Sequence, residues 1–118
     1  MEAAAGLPAV THTCPFGPDH EVFKVVGRIF LMTTEAPGKP IVTLKCEPPH
    51  AMALRQEFPT ITPGYHMNKQ HWITLHPGGR LDAGLVDDLV TESYLLVVEN
   101  LPSAKRPVDP ATFGRRPT

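Results

Sequence analysis

The sequence lacks the features that mark membrane and secreted proteins. No apolar run approaches the ~18–20 residues of a membrane-spanning helix. The chain does not open on a basic segment followed by an apolar core, so we expect no secretory signal peptide. It holds only two cysteines, Cys14 and Cys46, which are too few for a disulfide framework and are expected to be free thiols. We therefore expect a cytoplasmic protein with no membrane contact.

An excess of charge of either sign is also lacking. The 118 residues have a formal net charge of −1, whereas a nucleic-acid-binding domain is usually strongly basic. The charges are unevenly distributed, because residues 20–80 sum to +3 and residues 81–103 sum to −5. The length predicts one globular domain, in which a basic segment is followed by an acidic one.

Apolar patterning in the first half of the chain predicts strands. The β-branched and aromatic runs 22–26 and 29–32 flank Gly27-Arg28, and a glycine at the first turn position predicts a hairpin with a type II′ turn. Residues 41–45 predict a third strand, and the alternation over 71–76 predicts a later one. Three consecutive strands with short connections indicate an antiparallel meander.

Helices are expected on either side of these strands. Leu7-Pro8 interrupts a short Ala-rich start, so the first helix is brief or is the end of a longer one. Residues 50–58 follow two prolines, which suit the first turn of a helix. From Asp82 to Leu101 apolar residues recur at three- and four-residue steps, which predicts a long amphipathic helix that covers the sheet, with Asp82 as its N-cap. Residues 1–106 then form the domain and residues 107–118 a loosely ordered tail.

The stretch 65–72 is the densest group of polar and aromatic side chains. It brings together imidazole, amide, ammonium and the only tryptophan of the chain, which predicts a polar binding surface at a loop-to-strand junction. The spacing fits equally a local hydrogen-bond network with the tryptophan in the core.

Metal binding and catalysis have weaker support in the sequence. His12 with Cys14, Cys46 with His50, and the histidines at 66, 71 and 76 could be assembled into ligand sets, but none has CxxC or HExxH spacing. No nucleophile elbow and no glycine-rich phosphate loop is present. We therefore expect no metal site, no cofactor and no catalytic residue.

Basic residues are placed on or near predicted turns. Lys24 falls in the first strand of the predicted hairpin, Arg28 in its turn, and Arg80 after a later glycine pair. Such side chains can reach phosphates, as winged motifs do. Ordinary solvation of hairpin tips accounts for them equally well.

Taken together, several segments resemble the MmcQ/YjbR family over about Leu7 to Arg106. They are residues 7–10, 16–17, 22–25, 27–30, 44–46, 63–72 and 89–98. The His-x-Asn-Lys-x-His-Trp core of residues 66–72 and the Ser93-Tyr94 pair are specific when they occur in this order.

The resemblance implies a two-layer α+β fold, in which an antiparallel sheet has helices on one face. The implied order is helix, three strands, helix, two strands, helix, similar to CyaY-like (frataxin-like) and secretion-chaperone-like folds. Members are mostly bacterial and cytoplasmic and are commonly described as DNA-binding through a double-wing surface. Carried onto this sequence, that surface is Lys24, Arg28, Lys69 and Arg80 as phosphate contacts around His66, Asn68, His71 and Trp72.

Two hypotheses for function follow. The first is a non-enzymatic DNA-binding protein whose binding is weak and salt-sensitive, since few phosphates are contacted. The alternative is a protein- or small-ligand-binding module that uses the acidic helix or an exposed sheet face, because a fold does not determine a function.

Overall fold

The computed structural model of the chain describes residues 2–15, 17, 19–36, 39–64, 71–77 and 81–113. Within these residues an antiparallel sheet has the strand order β1-β2-β3-β4-β6-β5. Its elements, in chain order, are α1 (Glu2–Ala5), β1 (Val10–Thr13), β2 (His20–Val25), β3 (Arg28–Ala36), β4 (Lys39–Lys45), α2 (Pro48–Glu57), β5 (Ile61–Pro63), β6 (Trp72–Leu75) and α3 (Ala83–Glu99). No helix among them is long and apolar enough to cross a membrane.

The order of elements corrects the expected one, because four strands rather than three precede α2. The additional strand is β1, which pairs with β2 from Val10↔Val25 to Thr13↔Val22. Its last three residues are exposed, so it has no apolar alternation from which a strand could be predicted. Backbone pairing holds it in place, together with the ring of His12, which stacks on Phe23 at a centroid distance of 4.6 Å.

The β2–β3 turn also differs from the prediction. Val25 pairs with Arg28, so the two turn residues are Val26 and Gly27, and Arg28 is the first residue of β3. Both turn residues have positive φ, 48° and 77°, which is the pattern of a type I′ turn rather than type II′. A β-branched residue rarely adopts this conformation, so Val26 is a poor sequence signal for this turn.

The two faces of the sheet differ in what covers them. Phe23, Leu31, Leu44 and Ile73 lie opposite one another across four strands and are fully buried in the core. Buried residues of α1, α2 and α3 belong to the same core, so the helices cover this face. Side chains on opposed residues share a face. The face turned away from the helices, which we call the open face, carries Thr11, Thr13, His20, Val22, Lys24, Ile29, Met32, Thr34, Ile41, Thr43, Lys45, Thr62, Trp72 and Thr74. Val22, Ile41, Thr43 and Thr74 are buried, and of the others only Thr11 and Thr13 are exposed.

A bulge at Phe30 shapes the junction between the sheet and α3. Pairing passes from Phe23↔Leu31 to Lys24↔Ile29, which leaves Phe30 without a partner on β2. A bulge of this kind re-aims a side chain, and here Phe30 and its neighbour Leu31 are both fully buried. The Phe30 ring meets Tyr94 edge-on, with centroids 5.5 Å apart.

Ser93 of α3 satisfies backbone groups beside this bulge. Its hydroxyl donates to the Phe30 carbonyl at 2.5 Å and accepts from the Lys45 backbone N–H at 2.8 Å. The next residue, Tyr94, donates its hydroxyl to the Pro8 carbonyl at 2.7 Å, and burial raises the pKa of this phenol. The Ser-Tyr pair therefore fixes α3 to the middle of the sheet and to the N-terminal segment.

Both ends of α3 are capped. Asp82 accepts from the Leu85 N–H at 2.7 Å, as the sequence predicts. At the other end the Arg106 guanidinium donates to the carbonyls of Glu99 and Leu101. Val108 and Phe113, which a domain boundary at residue 106 assigns to the tail, pack against the core.

Ser93→Ala is expected to lower the free energy of unfolding by about 1–3 kcal/mol, because it leaves the Phe30 carbonyl and the Lys45 N–H buried without their partner. Urea denaturation measures the change, with Ser103→Ala as the matched control, since Ser103 is exposed. A loss below about 0.5 kcal/mol, the range of ordinary surface substitutions, would contradict the assigned role.

Val26→Asn is expected to raise the free energy of unfolding by about 1 kcal/mol, because Asn tolerates the left-handed conformation and Asn-Gly is preferred in type I′ turns. Thermal denaturation compares it with Val26→Thr, which keeps the β-branch and its strain and should gain nothing. Equal stabilisation by both variants would show that removal of an exposed apolar group is the cause.

Candidate functional site

The structure places only part of the predicted site. Lys24, Arg28, His71 and Trp72 lie within the described residues. The remaining predicted residues, His66, Asn68, Lys69 and Arg80, lie outside them, and their roles stay predictions.

Lys24 and Trp72 lie on the same face of the sheet, together with a lysine that the sequence analysis did not select. Lys45, on β4, is the direct cross-strand partner of Trp72. Lys24, on β2, lies two strands from Lys45. At ~4.8 Å per strand spacing, the two lysines are about 10 Å apart across the sheet. All three side chains are half-buried, so each lysine keeps its stem against the sheet.

Charge is segregated between the two sides of the molecule. Among the described residues of the open face there are two lysines and one histidine but no Asp or Glu. The acidic residues of α3, namely Asp87, Asp88, Glu92 and Glu99, belong to the opposite side of the sheet. Within the part of the chain that the structure describes, the open face therefore carries positive charge and the outer side of α3 carries negative charge.

Arg28 and His71 lie at the periphery rather than on the open face with Lys24, Lys45 and Trp72. Arg28 pairs with Val25, whose side chain points to the helical face, so the register directs Arg28 to that side at the exposed end of the hairpin. His71 precedes β6 and is exposed, and its carbonyl accepts from the Cys46 N–H at 2.8 Å. The structure thus brings together Lys24, Lys45 and Trp72 and leaves these two at the periphery.

Close approach of the backbone fixes Trp72. The Gly64 N–H donates to the Trp72 carbonyl at 2.8 Å. A Cβ on Gly64 would lie 2.5 Å from the Trp72 Cβ, closer than two carbons can approach, so this position requires glycine. Trp72 is neither in the helical core nor free in solvent, and a partly accessible indole can contact a ligand through its π-face.

A second cluster lies where β4 passes into α2. The ligand atoms of Cys46, His50 and Glu92 lie within 4.8 Å of one another, and His50 Nδ1 is 2.9 Å from Glu92 Oε1. Burial raises the pKa of the Cys46 thiol to about 12, with the Glu92 and Glu47 carboxylates adding to the effect. The sequence offers Cys46 with His50 as a ligand pair but does not point to Glu92, because Glu92 comes 42 residues after His50 and only the tertiary fold joins them.

A groove of about 640 Å³ runs along the outer side of α3. We call it the acidic groove, because carboxylates from α3 and from the start of α2 line it beside apolar side chains. Its lining includes Glu47, Asp88, Glu92, Glu99, Leu95 and Phe113. Such a surface fits a cationic or amphipathic ligand better than a phosphate.

Lys45 is the basic residue that pattern alone could have identified. The alternation Ile41, Thr43, Lys45 places it on the same face as Thr43, while Leu44 and Cys46 face the core. The missing information is the pairing of β4 with β6, which brings Trp72 beside it.

Comparison with known proteins identifies relatives over most of the chain. The chain is 45% identical over 103 residues to the uncharacterised protein YbdF of Escherichia coli O157:H7, covering 87% of this chain and 83% of that protein. It is 39% identical over 83 residues to the uncharacterised protein YjbR of Escherichia coli K12, with 70% of each covered.

Solved structures agree with the sequence relatives. The crystal structure of a Deinococcus radiodurans protein with a DUF419 domain matches with a TM-score of 0.81 and 35% identity, over 89% of this chain and 80% of that one. A Pseudomonas syringae protein matches with a TM-score of 0.66 and 28% identity, over 74% and 86%. The YjbR family model matches residues 5–96, and the chain therefore belongs to the YjbR family.

Proposed function

We propose that this protein is a small, non-enzymatic DNA-binding protein that contacts DNA through the open face of its sheet and acts in the cytoplasm. The observation that carries the proposal is the placement of Lys24, Lys45 and Trp72 on one face that has no carboxylate among its described residues. A polyanion is attracted to this face, and the acidic α3 side is turned away from it.

The spacing of the two lysines suits a duplex. Their separation of about 10 Å across the strands is close to the ~12 Å width of the major groove. This is the separation of the strands that carry the lysines, and flexible lysine stems can bring their ammonium groups to phosphates on either side of the groove. Such contacts position a protein without reading sequence. Trp72, directly beside Lys45, supplies a flat apolar contact.

Few contacts imply weak binding. Each neutralised phosphate contributes about −0.9 to the slope of log K against log salt, so Lys24 and Lys45 together contribute about −1.8. The predicted contacts Lys69 and Arg80 would make the slope steeper.

Lys24→Gln and Lys45→Gln are each expected to weaken binding to a duplex of arbitrary sequence and to reduce the salt slope by about 1. Fluorescence anisotropy of a labelled duplex at low salt measures both quantities. Lys105→Gln is the matched control, because Lys105 is an exposed lysine in the 3-10 turn after α3. Equal effects of all three variants, or no binding by the unmodified protein at low salt, would rule the proposal out.

Trp72, the single tryptophan of the chain, offers a label-free signal of the same event. Its emission is expected to change on addition of duplex, because the ligand covers the open face beside Lys45. The change should be reversed by salt and should be weaker in Lys45→Gln. An unchanged emission in a mixture that anisotropy shows to be bound would place DNA on another surface.

A second candidate, a peptide-binding module, is favoured by the acidic groove. Carboxylates beside Leu95 and Phe113 complement a basic amphipathic segment of a partner protein. A synthetic helix with arginines on one face and leucines on the other is the probe, and Leu95→Ser should weaken its binding while Lys24→Gln should not. The apolar part of such binding should survive salt that abolishes DNA binding.

A further inference from the structure

We propose that Cys46, His50 and Glu92 form a binding site for a zinc ion. The three ligand atoms lie within 4.8 Å of one another and come from three different parts of the fold. This site is separate from the open face and does not depend on DNA binding.

Each ligand is held by a well-anchored element. Cys46 follows β4 directly, and its backbone N–H is bonded to the His71 carbonyl. His50 lies in the first turn of α2. Glu92 precedes Ser93, whose hydroxyl bonds α3 to the backbone of β3 and β4. Ligands on packed helices and strands are positioned more accurately than ligands on loops.

The ligand types select the metal. A thiolate, an imidazole and a carboxylate are the usual ligands of Zn²⁺, whereas Mg²⁺ and Ca²⁺ prefer oxygen alone. Tetrahedral bonds of about 2.0–2.3 Å need ligand atoms less than about 4 Å apart, which small rotations of the exposed His50 and half-buried Glu92 side chains can provide. Three protein ligands leave the fourth position for a water molecule.

Carboxylates around the site attract a cation, whereas the nearby Arg55 guanidinium acts against it. Glu92 also lines the acidic groove, where Glu47, Asp88 and Glu99 add negative charge. Cys46, which is almost fully buried, also lines a separate cavity of about 340 Å³ beside His71. On binding, the Cys46 thiol transfers its proton to the buffer and the sulfur coordinates as the thiolate.

If these three residues had only structural roles, a metal titration would give a different result. A His–Glu surface pair contributes little, and a buried cysteine behaves as a small apolar residue. Neither role would make the three side chains act together on a metal, so a spectroscopic measurement separates the two explanations.

The experiment is a titration of the full chain, reduced and metal-free, with Co²⁺. Formation of the site gives a thiolate-to-cobalt charge-transfer band that saturates at one equivalent and is abolished when Zn²⁺ is added. Cys46→Ala should remove the band. His50→Ala and Glu92→Gln should each weaken cobalt binding by more than the ~10–100-fold that loss of an outer-shell partner costs.

Cys14→Ser is the matched control, because Cys14 is the exposed free cysteine and should leave the band unchanged. His50 and Glu92 lie at the surface, so their variants stay informative even if the Cys46 variant is unstable, with far-ultraviolet circular dichroism as the check on folding. Absence of the band in the unmodified protein overturns the proposal. So does a band that persists in folded His50→Ala and Glu92→Gln, or one that disappears in Cys14→Ser.

Discussion

The hydroxyl of Ser93 is the interaction on which the arrangement of this domain depends. It fills the gap between the Phe30 carbonyl and the Lys45 N–H, at the point where the Phe30 bulge interrupts regular pairing. Because an unpaired buried polar group is costly, the bulge and the serine require each other. Together with the apolar residues of α3 in the core, this contact fixes the position of α3 against the covered face of the sheet.

The geometry of both proposed sites, the DNA-binding face and the zinc site, depends on that contact. Lys45, whose N–H is bonded to Ser93, directs its side chain to the open face beside Trp72. Glu92, the residue before Ser93, is held next to Cys46 and His50. Family membership gives the fold and no chemistry, since the relatives compared are themselves uncharacterised. Binding of DNA and of zinc is therefore inferred from these side chains.

The elements with a clear apolar pattern were predicted correctly in type and approximate position. The recurrence of apolar residues gave α3 to within two residues at each end, with its Asp82 cap, and the β-branched runs gave β2, β3 and β4. Strand β1 was not predicted, because it is held by backbone pairing and shows no apolar alternation. The Val26-Gly27 turn was misassigned because register, not residue type, selects the turn residues. Lys45 beside Trp72 and Glu92 beside Cys46 depend on strand order and helix docking, which one sequence does not encode locally.

The two edges of the sheet have a consequence for how copies of this protein meet. β1, at one edge, is four residues long with exposed polar side chains, and β5, at the other, has three residues and ends at Pro63, which has no N–H to donate. Within the described residues, neither edge offers a long row of free backbone groups to a neighbouring chain. Growth of the sheet by strand pairing from one molecule into the next is therefore disfavoured.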